Sequence, residues 1–252
     1  MPHISLAPEV LTHIGSFPLT NTLVVALGIT LLLSLFAILL RGRLTTGPGG
    51  ALQNAVEFLF EQILAFLDTI TEDRHYSRAF LPLVVTIFFF VLVSNLVEIV
   101  PGLGTVGLIE HHEGETLIVP FLRSSSADLN VTVAVALASV IGVQMLGVAF
   151  LGFFAYSRKF FFPPWRKPYL VGTFIGALEG VAELAKIVSF SFRLFGNIFA
   201  GEVLLTVVLF LMPYGAPLPF LVLEVFVGLV QAVVFSMLTL VFLKVATAES
   251  GH

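Results

Sequence analysis

The chain has no cysteine, a single Trp, four Met, and charged side chains at only 11% of its 252 positions. Without cysteine there are no disulfides, no thiolate metal sites and no thiol catalysis. The six histidines, His3, His13, His75, His111, His112 and His252, all fall in termini or loops, so no imidazole is expected inside an apolar segment. That excludes a histidine-ligated metal or redox centre in the membrane, and no cofactor is implied. Twelve Lys and Arg stand against sixteen Asp and Glu, a net charge of −4, which offers nothing to nucleic acid. The opening MPHISLAPEV has no basic stretch before an apolar one, and no Arg- and Ser-rich transit pattern follows, so the first apolar segment is expected to be kept.

What the chain does have is apolar length. Hydrophobic residues make up 58% of it, 26 of them Phe, and mean hydropathy is +1.04. A soluble domain is about 45–50% apolar and about 25% charged, so this composition reads as a membrane protein. With about 20 apolar residues needed per helical span, the candidates are Thr22–Leu40, Ala79–Val100, Leu129–Ala155, Val171–Leu211 and Leu218–Ala246. Residues 1–21 are an outer N-terminus, 101–128 an outer loop and 156–170 a basic inner loop, all within one membrane domain of residues 1–252.

A sixth stretch, Ala51–Ile70, is long enough to span but carries Asn54, Glu57, Glu61 and Asp68 in one stripe. Offsets of three, four and seven put those groups on one helix face, as in a helix lying along the interface. Charge counting agrees. If that segment does not span, Arg41, Arg43, Arg74, Arg78, Arg158, Lys159, Arg166 and Lys167 share one side, and only Arg123 lies opposite, among Glu110, Glu113, Glu115 and Asp128. The positive-inside rule then puts the N-terminus outside and the C-terminus inside.

The last two segments are too long for upright spans. At 1.5 Å per residue they reach about 60 Å and about 43 Å, against about 30 Å of hydrocarbon. They are expected to be strongly tilted or broken, wrapping a curved partner. The spacing Gly172, Gly176, Gly180 fits close helix packing in lipid. The expected fold is therefore all-α and polytopic, with five membrane-embedded helices plus one interfacial amphipathic helix.

Of the twelve cations only Lys186 and Arg193 sit in the middle of an apolar span, where an Arg costs about 2.5–3.5 kcal/mol on insertion scales. At 100° per residue, Glu179, Glu183, Lys186, Arg193 and Asn197 fall within about 80° of one another and make one polar stripe. Glu202, nine residues past Arg193, points to the opposite face, and Glu224 and Gln231 share a face of the next helix. Lys186 has Glu183 or Glu179 at helical spacing, three and seven residues away, to pair with. Arg193 has none: its neighbours one turn away are Ser189, Phe190, Gly196 and Asn197, so its carboxylate partner lies elsewhere. Glu202 and Glu224 read equally as a structural pair or as a proton relay.

The run Ser191-Phe-Arg-Leu-Phe-Gly-Asn-Ile-Phe-Ala-Gly-Glu202 resembles the signature of subunit a of F-type ATP synthases. Ser94-Asn-Leu-Val-Glu-Ile-Val-Pro101, Asp128-Leu-Asn-Val-Thr132 and Val230-Gln-Ala-Val-Val-Phe-Ser-Met-Leu-Thr-Leu240 extend the likeness, in order, over nearly the whole chain. The resemblance implies a non-catalytic subunit that passes protons through two half-channels against a rotating ring of c subunits, in a bacterial plasma membrane or an organelle inner membrane. It implies subunit b of the peripheral stalk and the remaining subunits of the complex as further partners.

Residue by residue, the resemblance makes Arg193 the stator arginine, with Asn197 and Gln231 as polar neighbours. Glu202 and Glu224 would line the outer half-channel with help from Asn95, and Glu179 would belong to the inner one. Relatives that carry a histidine at one of the two outer positions differ, since both are Glu here. His111 and His112, in the run Glu110-His-His-Glu-Gly-Glu115, are either pH-sensitive groups near the outer mouth or part of a solvated loop. Rival classes fit less well. A stand-alone ion transporter is expected to show internal repeats with matching interrupted helices, and none is seen before residue 155. A scaffold does not account for Arg193.

Overall fold

The computed structural model describes residues 7–44, 50–97, 99–100, 107–112, 115–120, 122–157 and 169–248. His3, Glu113, His252 and the basic cluster of Arg158, Lys159, Arg166 and Lys167 lie outside them. Seven helices are described: α1 Asn21–Arg43, α2 Ala51–Thr71, α3 Arg74–Val97, α4 Leu129–Leu151, α5 Phe153–Ser157, α6 Tyr169–Leu211 and α7 Pro217–Thr247. Five of them, α1, α3, α4, α6 and α7, are long and apolar enough to cross a membrane. The protein is an all-α polytopic membrane protein.

Helix boundaries follow local chemistry. Thr20 caps α1, its hydroxyl accepting from Leu23 N at 3.3 Å, and Asp128 caps α4, accepting from Asn130 N at 2.8 Å. The α4–α5 corner turns on Gly152 at φ +82, which ends α4 in a conformation glycine adopts without strain. Pro217 opens α7, where its missing N–H has no helical partner to lose.

The segments read from sequence as an outer N-terminus and an outer loop each hold a short hairpin. β1 (Val10–Ile14) pairs antiparallel with β2 (Phe17–Thr20) across Gly15 at φ +66, and β3 (Gly107–His112) pairs with β4 (Glu115–Pro120). Alternating β-branched residues such as Val10 and Thr12, with a glycine at the turn, outweigh the loop reading.

The two long helices run without a break. Their 43 and 31 residues correspond to about 65 Å and about 46 Å at the α-helical rise. α3 packs along α7, and α4 lies against both α6 and α7. Two apolar clusters hold them. One joins Ile87 and Val91 of α3, Ala136 of α4, Phe190, Leu194 and Ile198 of α6, and Phe235 of α7. The other joins Leu67, Phe80, Val84, Val143, Tyr156, Leu240 and Leu243 where α2, α3, α4, α5 and α7 meet. α1 touches this bundle only through its first turns, with Val25, Ala26 and Ile29 buried while Leu31, Leu35, Phe36 and Leu39 stay exposed. The outer face of α6 is likewise apolar and uncovered, at Val181, Leu184, Val188 and Phe192. Gly180 on that helix has open space beside it, so no other part of the described chain makes the close packing its spacing suggests.

Candidate functional site

The face that α6 turns into the bundle is set by Phe190, Ser191, Leu194, Ile198 and Leu205, all buried. Arg193 and Asn197 fall just off that face and are exposed. The Arg193 guanidinium reaches only the Ser189 hydroxyl, at 3.5 Å, and among the described residues it has no ion-pair partner. It stands beside Phe192, 57% exposed, and Gly196, whose Cα faces open space. The missing partner is therefore not supplied from within the described chain, although the sequence offers many carboxylates.

One turn on, Asn197 Nδ2 donates to Gln231 Oε1 of α7 at 3.0 Å. Gln231 is buried, and among the described residues its Nε2 has no partner. The two amides thus bridge α6 and α7 next to the guanidinium.

Seven residues before Gln231, Glu224 lies buried at 7% exposure, its carboxylate against the backbone of Gly201. A Cβ at position 201 would land on that carboxylate, so the glycine makes the close approach possible. Gly228 plays a similar part toward Asn95: a Cβ there would sit 3.1 Å from Asn95 Cβ. Asn95, 1% exposed, donates to Gly228 O at 3.1 Å and accepts from Ser126 Oγ at 2.8 Å, tying α3 to α7 and to the short turn Ser125–Ala127.

Glu202, adjacent to Gly201, is paired with Arg123 and not with Glu224. Arg123 Nε donates to Oε1 at 2.9 Å and Nη2 to Oε2 at 2.9 Å, a two-pronged grip across 79 positions of sequence. Sequence reasoning treated Arg123 only as the lone outer cation, and that loneliness among acids was the available signal. Asp128 also makes contacts that its place in the sequence does not announce. It is 3% exposed, and besides capping α4 its Oδ2 accepts from Thr22 Oγ1 of α1 at 2.8 Å.

On the opposite half of the stripe, Lys186 Nζ pairs with Glu183 Oε1 at 2.6 Å and lies 4.5 Å from the centre of the Phe242 ring. Among the described residues the buried Glu183 Oε2 has no partner. Glu179 is half-buried one turn earlier. Beyond the end of α4, the buried Tyr156 hydroxyl donates to Gln144 Oε1. Burial, and then the charges of Glu183 and Glu179, push that phenol up to about 12. His111 and His112 stand on β3 opposite Thr116 and Glu115.

The arrangement thus has an exposed guanidinium at mid-helix with no ion pair among the described residues, an amide bridge one turn on, and carboxylates along α6 and α7. It defines a polytopic membrane protein with a cation midway along one long helix and polar groups on either side of it. Its sequence matches the ATP synthase A chain family over residues 22–244, and the chain belongs to that family. Among its relatives is the ATP synthase subunit a of Moorella thermoacetica, 32% identical over 252 residues and the full length of both chains. The ATP synthase subunit a of Campylobacter concisus is 33% identical over 225 residues, 89% of this chain and 88% of its own. That of Aliivibrio fischeri strain MJ11 is 34% identical over 215 residues, 82% and 76% of the two chains.

Proposed function

We propose that this protein is the ion-translocating stator subunit of an F-type ATP synthase, passing protons through two half-channels that meet at Arg193. The observation that carries the reading is the exposed Arg193 guanidinium midway along a largely apolar helix, with no ion pair among the described residues. A bare charge on a lipid-facing surface is costly, whereas one facing the carboxylate of another subunit is matched. Family membership supports the role and does not favour a stand-alone transporter.

The chemistry suits the residue types. A rotor carboxyl has to be protonated to face lipid and ionised to release its proton, so the crossing point requires a permanent positive charge. Arg supplies it, because a guanidinium stays protonated where a Lys ammonium would neutralise itself. An opposite charge within about 4–6 Å favours the ionised carboxylate, which unloads the rotor as it passes. The same charge repels hydronium and blocks a direct path between the half-channels. Each proton crossing 100 mV releases about 2.3 kcal/mol, enough to bias the step.

In this reading Glu224 and Glu202, with Asn95, belong to the outer half-channel, Glu179 to the inner one, and Asn197 and Gln231 fix the geometry between them. The partners are a ring of c subunits, subunit b of the peripheral stalk and the rest of the complex, where the nucleotide chemistry resides. α2 lies along the inner interface, the N-terminus faces outside and the C-terminus the cytoplasm of a bacterial plasma membrane.

The test is Arg193→Ala in the assembled complex in inverted vesicles, scoring ATP-driven acidification and passive proton leak separately. Loss of acidification with intact assembly and a persisting leak is expected. Normal acidification would return Arg193 to a structural role.

A further inference from the structure

The two outer carboxylates are held in different ways. Glu202 is gripped at both oxygens: Arg123 Nε donates to Oε1 at 2.9 Å and to Oε2 at 3.3 Å, and Nη2 donates to Oε2 at 2.9 Å. The Arg123 side chain is only 8% exposed, and its Nη1 also donates to Ala7 O at 3.2 Å, so the guanidinium is anchored on the N-terminal segment as well as on α6. Glu224 is different. It is buried against Gly201, and among the described residues no side chain hydrogen-bonds it or pairs with it. Gly201, against which Glu224 lies, and Glu202 are consecutive on α6.

We infer that Arg123 is a positioning residue of the outer half-channel, which holds Glu202 as a fixed anion and leaves Glu224 as the carboxyl that takes up and passes on protons. The inference rests on the half-channel reading above. A carboxylate whose two oxygens both accept from one planar guanidinium has to break that pair before it can be protonated, and the buried guanidinium would then be left without its counter-charge. Glu224 has no such tie, so it gains and loses a proton without unpairing another charge. The anchored pair also fastens the outer loop to α6 beside Glu224, which keeps that carboxyl pressed on Gly201 at the end of the α6–α7 seam.

The experiment compares Arg123→Gln, Arg123→Gln with Glu202→Gln, Glu202→Gln, Glu224→Gln and Arg193→Ala in the whole complex in inverted vesicles, with assembly checked by subunit content. Arg123→Gln is expected to reduce ATP-driven acidification by about tenfold or more, because an unpaired anion is left beside Glu224. Removing both charges is expected to restore acidification several-fold over Arg123→Gln, since the relay carboxyl is untouched. Glu224→Gln is expected to be silent. If Arg123→Gln fails to assemble, the double variant still decides, because it buries no lone charge.

The inference is overturned if the assembled double variant is as silent as Glu224→Gln, or if Arg123→Gln acidifies normally. Arg193→Ala separates the two levels. Should it be silent while the double variant is also silent, only the division of labour between Glu202 and Glu224 fails. Should it acidify normally, the half-channel reading fails and this inference with it.

Discussion

Asn197 of α6 donates its side-chain amide to Gln231 Oε1 of α7 at 3.0 Å, one helical turn beyond the exposed Arg193. Leu194 and Ile198 hold α6 against the bundle, and Ala232 and Phe235 do the same for α7. The amide bridge is the polar seam of that contact, and it lies at the edge where the guanidinium emerges. It therefore sets the position of Arg193 relative to α7.

A double-mutant cycle reads the strength of this bridge. Asn197→Ala and Gln231→Ala are expected to couple by about 0.5–1.5 kcal/mol, the net worth of one partly buried hydrogen bond. Thermal unfolding of the purified complex in detergent, followed on this subunit, measures it. Strict additivity of the two variants would show that the bridge contributes nothing.

Gly201 carries a sharper expectation. Because a Cβ there would occupy the space of the Glu224 carboxylate, Gly201→Ala has to push that side chain off the α6–α7 seam. Overpacking of this kind costs about 1–3 kcal/mol. Assembly is expected to survive, and ATP-driven acidification to fall. Shortening the partner, as in Gly201→Ala with Glu224→Asp, is expected to recover unfolding temperature without recovering the full rate.

Asp128 joins two helices, capping α4 through Asn130 N and accepting from Thr22 of α1. Asp128→Ala loses the cap, worth about 0.5–2 kcal/mol, and removes the hydrogen bond that ties Thr22 of α1 to the start of α4. Asp128→Asn keeps a capping oxygen and is expected to lose less. The unfolding midpoints of the two variants, compared directly, check the ranking.

Tyr156 should be slow to ionise. Burial first, and the Glu183 and Glu179 carboxylates after it, disfavour the phenolate and place its titration at about 12 instead of the ordinary 10. Raising the pH through 10 therefore leaves Tyr156 neutral while an exposed Tyr ionises. The ultraviolet difference titration between the natural protein and Tyr156→Phe isolates this group. Glu183→Gln is expected to bring its midpoint down by removing one of the opposing charges.

Much of this molecule is legible along the chain. Five apolar runs announce five membrane-crossing candidates because burying twenty apolar side chains in lipid needs no partner from elsewhere in the sequence. Arg193 stands out for the complementary reason, since a charge in such a run is costly and its helical neighbours Ser189, Phe190, Gly196 and Asn197 supply no acid. The pairing of Lys186 with Glu183 is equally local, three residues apart on one helix.

What periodicity could not reveal is which groups meet across the bundle. The grip of Arg123 on Glu202, the contact of Thr22 with Asp128 and the ties of Asn95 to Gly228 and Ser126 join positions far apart in the chain. Helical spacing carries no information about such neighbours. Nor does it say that Arg193 ends on the uncovered side of α6: that follows from the packing of Phe190, Leu194 and Ile198 inward, which rotates the helix and leaves the guanidinium outside. Local hydropathy thus dictates which segments enter the membrane and which charge is out of place there. Packing among α3, α4, α6 and α7 dictates its neighbours, because rotation and register between helices are settled only when their side chains interlock.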